Sequence, residues 1–475
     1  MSTNSAAPQR NVHWAWPKQP TKEHRKILRK RLGTEPVWPV EVPDHPVIFI
    51  NGRVHAATWT HLSNRARTAS GSRDTAEKAA RHLRTYIDFL VNERGLWHED
   101  QSRSDVMVAT TKDWRAFSKK HVSGPDAVPD RRWNEMNNVV QNYYRWAKES
   151  LKLSAPWDWQ QRTDGLGRDV TTNGFNRKTS SGSSGQPILP DLFRCLRQGA
   201  LRITANGEDK GELVASRDAA FLCNAIAAGL RNTELRLLTI YEVPPTPLTG
   251  EFATFTVSNA RAKFRNGGNV PAFDGWLQEV RDYVKQDRCV HAQLSANHRP
   301  KRPLRVIEAD LNKVTYRCLK TGKESTRKWH DMDEAAVQRL VDDNDESVLV
   351  YLSKDGRTLS KEAASDIVAS ARNFAIKHLE APLPPAFRLH DLRHSFACWY
   401  AALDYFEKSL TESHLPANAR SRHTTVLNSV AKAQAALRHQ SANSTQLYVS
   451  TAGVAERALR NGQFTTDELL GRKRW

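Results

Sequence analysis

The stretch RDAAFLCNAIAAGL (Arg217–Leu230) is apolar on nearly every side when wound as a helix. A helix of that kind reads as buried, so other elements must surround it. It cannot cross a bilayer, because Ala219–Leu230 is about half the length of a span and contains Asn224. Its neighbours supply the surrounding layer. LPDLFRCLRQG and FDGWLQEVRDYVKQ read as helices, and HDLRHSFACWYAALDYF puts Leu392, Phe396, Trp399 and Leu403 on one face. Glu251–Asn259 reads as a strand, with a turn at Gly267-Gly268 and a return at Asn269-Val270-Pro271. KVTYRCLKTGKESTRKWH reads as a second hairpin turning at Thr321-Gly322, and SVLVYLSKDGRTLS as strand, turn and helix start. The fold class predicted is mainly α with small antiparallel β-hairpins (α+β), not a doubly wound sheet. Neither GxxxxGK[ST] nor GxGxxG occurs, and no long-period repeat is visible.

Three earlier helical patterns predict a separate helical domain over residues 55–161. DTAEKAARHLRTYIDFLVNERG spaces Ala79, Leu83, Tyr86 and Leu90 by three and four residues, with Asp74 and Glu77 at capping-box spacing. TTKDWRAFSKKH pairs Trp114 with Phe117, and RRWNEMNNVVQNYYRWAKES aligns Met136, Val140, Tyr143 and Ala147. Arg81, Arg84, Lys119, Lys120, Arg131, Arg132 and Arg145 form a basic rind suited to duplex backbone. Residues 162–187 are rich in Gly, Ser, Thr and Asn and read as a linker, kept basic by residues that include Lys178. Residues 1–54 read as a basic, partly flexible extension containing a cationic helix, KEHRKILRKRLG. The larger unit then occupies 188–460, and 461–475 form a C-terminal tail.

Charge points to the partner. The 475 residues carry 71 Lys and Arg against 52 Asp and Glu, a formal +19, which favours a nucleic acid. Five cysteines without a CxxC pair predict neither a disulfide framework nor a zinc site, and they suit a reducing compartment. The first twenty residues hold no apolar signal segment, so a cytoplasmic location is expected.

Three polar strings abut the apolar helices: GLRNTEL (Gly229–Leu235), HDLRHSFA (His390–Ala397) and LRHQSANSTQLYV (Leu437–Val449). Arg231 closes a buried helix, where a charge is costly unless it is paired or given an anionic ligand. His390 and Arg393, three residues apart, share a helix face beside free N-terminal amides, a favoured place for a phosphate oxygen. The last string carries His439 and, nine residues later, Tyr448.

In this order the strings resemble the catalytic boxes of the tyrosine recombinase (phage integrase) family, and residues 55–161 are similar to its core-binding domain. The resemblance implies a helical core-binding domain followed by a tyrosine recombinase catalytic domain, and DNA strand exchange through a 3′-phosphotyrosyl link without metal, ATP or other cofactor. Arg231 matches the first catalytic arginine, His390 and Arg393 the HxxR pair, His439 the later histidine and Tyr448 the nucleophile. The family's acid is a hairpin lysine. Lys263 fits that place in ATFTVSNARAKFRNGGNVPAF, while Lys320 or Lys323 fits it in the second hairpin; the better-formed helix after the first favours Lys263. Implied partners are double-stranded DNA with a specific site, a homotetramer on DNA built from monomers in solution, and a directionality factor, in a bacterial, DNA-associated setting with no membrane.

Phosphodiester attack builds charge on two non-bridging oxygens, which two guanidinium forks hold. A phenol with a pKa near 10 needs a proton acceptor, here His390, and a donor to the phosphate, here His439. The sequence also departs from the family pattern. Arg438 stands where glycine is usual and reads as an extra charge beside the DNA backbone, and Ser444-Thr445 replaces Thr-Thr. Extra segments at Gly250–Leu311 and before His439 suggest a long-form integrase of a mobile element. The tail GVAERALRNGQFTTDELL is expected to pack on a neighbouring protomer. Two alternatives use the same strings: a type IB topoisomerase-like relaxing enzyme, and a catalytically silent DNA-binding protein of the same fold.

Overall fold

The computed structural model describes residues 10–17, 45–67, 73–97, 108–163, 169–177, 187–247, 252–262, 266–412, 422–438 and 457–472. The chain divides into two compact units, Met1–Gly182 and Ser183–Trp475.

The first unit opens with a small antiparallel sheet of β1 (Val12–Ala15), β2 (Val47–Ile50) and β3 (Arg53–Val54). Asn51 and Gly52 join β2 to β3 with positive φ values of 49° and 78°, the geometry a two-residue hairpin loop requires. Four helices follow: α1 (Ala56–Arg67), α2 (Arg73–Asp88), α3 (Thr111–Ser123) and α4 (Asp130–Ser150). The α2 helix begins at Arg73, so Asp74 lies inside its first turn and not at the expected cap. The cap of α3 is complete: Thr110 and Asp113 satisfy each other's backbone N–H groups. Leu83, Tyr86, Trp114, Phe117, Met136, Val140, Tyr143 and Ala147 fill the core, as their spacing predicts.

Two expectations about this unit need correction. Val12, Ile48 and Ile50 belong to the same core as the helices, and Arg84 Nε donates to the Val12 carbonyl at 2.8 Å, so part of the 1–54 extension is integral to the domain. The cationic helix expected near residue 25 lies outside the described residues. Within the expected linker, β4 (Gln160–Thr163) and β5 (Asp169–Thr172) pair as a hairpin, and the chain then runs along α4. Asn137 and Asn173 exchange side-chain amide bonds at 3.1 and 2.7 Å, and Trp133 Nε1 donates to the Phe175 carbonyl at 2.8 Å. Polar side chains satisfying backbone groups replace the apolar burial that composition looks for.

The second unit is mainly helical with small sheets. Helix α5 (Pro190–Leu201) precedes α6 (Ala215–Ala228), the helix apolar on all sides, which is buried along its length. Its two charges are paired: Arg217 bonds Asp218 and the Leu352 carbonyl, and Arg202 reaches the other Asp218 oxygen at 3.2 Å. After α7 (Asn232–Arg236), β6 (Phe252–Val257) and β7 (Gly268–Phe273) pair antiparallel, and α8 (Asp274–Gln286) packs on α6. Helix α9 (Arg288–Ser295) leads to a second sheet in the order β10 (Glu324–Lys328), β9 (Lys313–Cys318), β8 (Leu304–Ala309) and β11 (Leu340–Val341), which has its own core around Trp329 and Tyr316. The hairpin turn falls at Thr321-Gly322 as predicted, but a parallel β8–β11 pair extends the sheet. SVLVYLS forms isolated bridges and no full strand.

Helix α10 (Lys361–Leu379) lies on α5, and α11 (Leu389–Glu412) packs against α6 and α12 (Arg422–Leu437). At the C-terminal end, α13 (Thr466–Leu470) docks on its own unit. Trp276 Nε1 donates to the Leu469 carbonyl at 2.9 Å, Glu468 pairs with Arg194 at 3.0 Å, and a Cβ on Gly275 would meet Leu470 O at 2.4 Å. The tail's apolar residues Phe464, Leu469 and Leu470, expected against a neighbouring protomer, here pack in this chain's own core.

Candidate active site

Helix α6 ends where Gly229 turns left-handed at φ 57°, and a Cβ there would stand 2.5 Å from Phe396 Cδ1. The chain straightens at Arg231, which caps α7, and Glu234 lies three residues on, where its carboxylate faces back. Its Oε2 accepts the Arg231 backbone N–H at 2.9 Å and its Oε1 accepts Arg231 Nη1 at 3.0 Å. The GLRNTEL spacing thus builds an arginine whose guanidinium is steered by its own helix cap. Its side chain stays 21 % exposed, whereas that of Glu234 is 2 % exposed.

Arg393 approaches from α11. It is 2 % exposed, and its two Nη groups donate to the carbonyls of Gly229 and Leu437. One guanidinium therefore ties the ends of α6 and α12 to the start of α11, joining segments 164 and 44 residues apart. The sequence places Arg393 on one helix face with His390 beside free amides; the structure buries its side chain where two helix ends leave carbonyls that need donors. His390 is exposed in the first turn of α11. Its ring stands 4.5 Å from that of His394, edge to face, and burial, with His390 and Arg393 adding to it, lowers the His394 pKa to about 4. Sequence reasoning passed over His394, although it follows His390 by one helical turn.

Arg438 completes the cluster. Its backbone is left-handed, φ 55°, and its side chain is buried, so the expectation of a charge laid against DNA backbone is corrected. Arg438 Nη2 donates to Glu234 Oε2 at 2.7 Å and its Nη1 to the Asn266 carbonyl at 3.2 Å. Burial pushes the Glu234 carboxyl up, but Arg438, Arg231 and Arg393 outweigh it and hold the group below its ordinary value.

Lys263, His439, Tyr448 and Lys178 lie outside the described residues. Asn266, on the β6–β7 connection that carries Lys263, donates to the Arg438 carbonyl at 3.1 Å. Lys320 and Lys323 are exposed in the β9–β10 turn, and no described contact links that turn to the arginines. Of the basic rind, Arg81, Lys119, Arg131, Arg132 and Arg145 are exposed. Several also hold their own unit together: Arg84 pins β1, Lys120 bridges Glu93 and Asp126, Arg131 pairs with Glu135 at 3.7 Å, and Arg145 bonds the Thr171 carbonyl at 2.8 Å and covers the Trp159 ring. Arg81 pairs with Glu77 at 2.9 Å beside Trp14. Among the described residues no three His, Cys, Asp or Glu side chains gather as a metal site, and no helix is long and apolar enough to cross a membrane.

The sequence matches no protein-family model and none of the curated proteins. Among solved structures it is similar, at 11 % identity, to the Tn1549 transposon integrase in complex with transposon right-end DNA, over 85 % of this chain and 98 % of that one, with a TM-score of 0.47. For the XerH site-specific recombinase bound to palindromic difH substrate, identity is 11 %, coverage 86 % and 88 %, and TM-score 0.43. For the lambda integrase dimer bound to a COC′ core site, the figures are 11 %, 83 % and 94 %, and 0.42.

Proposed function

We propose that this chain is a site-specific DNA recombinase that cleaves and rejoins duplex DNA through a 3′-phosphotyrosyl intermediate, without metal or ATP. The observation that carries the reading is the meeting of three distant strings: Arg393 hydrogen-bonds the carbonyls of Gly229 and Leu437, and Arg231 and Arg438 share Glu234. Three guanidiniums against one carboxylate leave a cationic surplus whose open member is Arg231, suited to the non-bridging oxygens of a phosphodiester.

In the proposed reaction the Tyr448 oxygen bonds to phosphorus while the bond from phosphorus to the 5′-oxygen breaks. His390 takes the phenol proton and Lys263 gives one to the departing oxygen. Arg231 binds a non-bridging oxygen, Arg393 adds its charge from behind, and His439 donates to the same phosphate. Asn266 beside Arg438 favours Lys263 over Lys320 and Lys323, since its hairpin touches the cluster. Rejoining reverses these transfers. The DNA partner carries a specific site and holds four copies of the chain, with Lys119, Arg131 and Arg132 against its phosphates.

The test is covalent trapping on nicked suicide duplexes taken from the DNA flanking the coding sequence. The unaltered chain is expected to form an adduct in EDTA, and Tyr448→Phe to form none while binding duplex within about threefold. An adduct formed by the phenylalanine variant would sink the assignment and direct attention to Tyr400.

A further inference from the structure

Arg438 holds a backbone conformation, φ 55°, that residues bearing a Cβ adopt at a cost and glycine adopts freely. Glycine is what the resemblance carries here, so an arginine at this position stands against a conformational preference. What its side chain does supplies a reason. The buried guanidinium donates at 2.7 Å to Glu234 Oε2, while the other oxygen of that carboxylate accepts Arg231 Nη1 at 3.0 Å. Arg438 also forms a reciprocal clasp with Asn266: its Nη1 donates to the Asn266 carbonyl at 3.2 Å, and Asn266 Nδ2 donates to the Arg438 carbonyl at 3.1 Å. In sequence the clasp sits three residues after Lys263 and one before His439.

Without Arg438, Glu234 would have Arg231 as its closest cationic partner. The two charges would largely cancel, leaving Arg231 little to offer an anion. With Arg438 on the second oxygen, the carboxylate still fixes the orientation of Arg231 but its negative charge is divided between two guanidiniums. We infer that Arg438 is a positioning residue: by sharing Glu234 and clasping Asn266, it leaves Arg231 both oriented and electrostatically available for a phosphoryl oxygen. This rests on the strand-cleavage reading for its purpose, though the anion site it describes is testable without cleavage.

The experiment has two arms on the full chain. In the first, inorganic phosphate is titrated at constant ionic strength and its affinity is read from thermal shift. Arg438→Gly suits the left-handed turn and is expected to weaken phosphate roughly tenfold, the size of a charge-assisted contact. Arg438→Lys restores part of that affinity, because the charge returns without the fork. Asn266→Ala keeps the charge and weakens phosphate by less. In the second arm, adduct formation at saturating duplex slows roughly ten- to hundredfold in Arg438→Gly, with duplex affinity held within about threefold. Phosphate affinity equal in the unaltered and Arg438→Gly chains overturns the inference, as does Arg438→Lys behaving no better than glycine, or no phosphate effect on the unaltered chain. If the unaltered chain binds phosphate but forms no adduct, the cleavage reading fails while the first arm still decides the role of Arg438. Should Arg438→Gly fail to fold, the lysine variant alone must show a loss, and its equality with the unaltered chain overturns the proposal.

Discussion

Glu234 is the residue around which the site is organised, because a buried carboxylate needs every guanidinium within reach. The sequence exposed half of this arrangement. A charge at the end of an apolar helix had to be paired or bound, which marked Arg231, and GLRNTEL already contained its partner. Arg438 was legible as a departure from glycine but not as a buried residue, since its burial depends on the positions of Glu234 and Asn266, 204 and 172 residues away. The acid is tested at this scale. Lys263→Ala is expected to slow cleavage of an ordinary phosphodiester by roughly 10²–10⁴-fold, the worth of a positioned acid. A bridging 5′-phosphorothiolate should rescue that variant, because a thiolate leaves without a proton, and should not rescue Arg231→Ala. Selective rescue of Lys320→Ala instead would move the acid to the second hairpin.

Among elements, the long helices were the most legible, since apolar spacing fixes which face is buried whatever lies beyond it. Trp114 with Phe117, and Leu392 with Phe396, Trp399 and Leu403, all meet the core. Strands of four residues gave no comparable signal: Val12–Ala15 pairs with Val47–Ile50 across a stretch of 31 residues, and no local pattern announces such a partner. The 160–177 hairpin was hidden for a different reason, its cohesion coming from asparagine amides. The C-terminal helix carries the prediction here. Because Trp276 and Arg194 receive it within the same chain, deleting the residues after Arg460 should lower the melting temperature of the second unit and weaken single-site DNA binding as much as synapsis. Normal stability with loss of synapsis alone would return the tail to the role of a link between protomers.

Over the whole molecule, the three candidate strings were legible as a set, and what folding adds is the contacts among their described residues: Arg393 on the Gly229 and Leu437 carbonyls, and Arg231 with Arg438 on Glu234. Titration is a whole-molecule property here. Burial is the largest cause that lowers His61, His82 and His394 from 6.5 to about 4, and at His82 it outweighs the opposing pull of Glu135. Each stays neutral in the folded chain while its unfolded counterpart takes a proton below pH 6.5, so the stability they confer is present above that value and is lost as pH falls towards 4. The melting temperature should therefore drop over that interval, and a flat profile would contradict the burial of the three rings. The measurement closest to the proposed chemistry is the identity of the residue joined to DNA. Nuclease trimming of the trapped adduct, proteolysis and mass spectrometry should find a nucleotide 3′-phosphate on Tyr448. A nucleotide on another residue, or strand breaks that depend on a divalent metal and leave no protein attached, would contradict it.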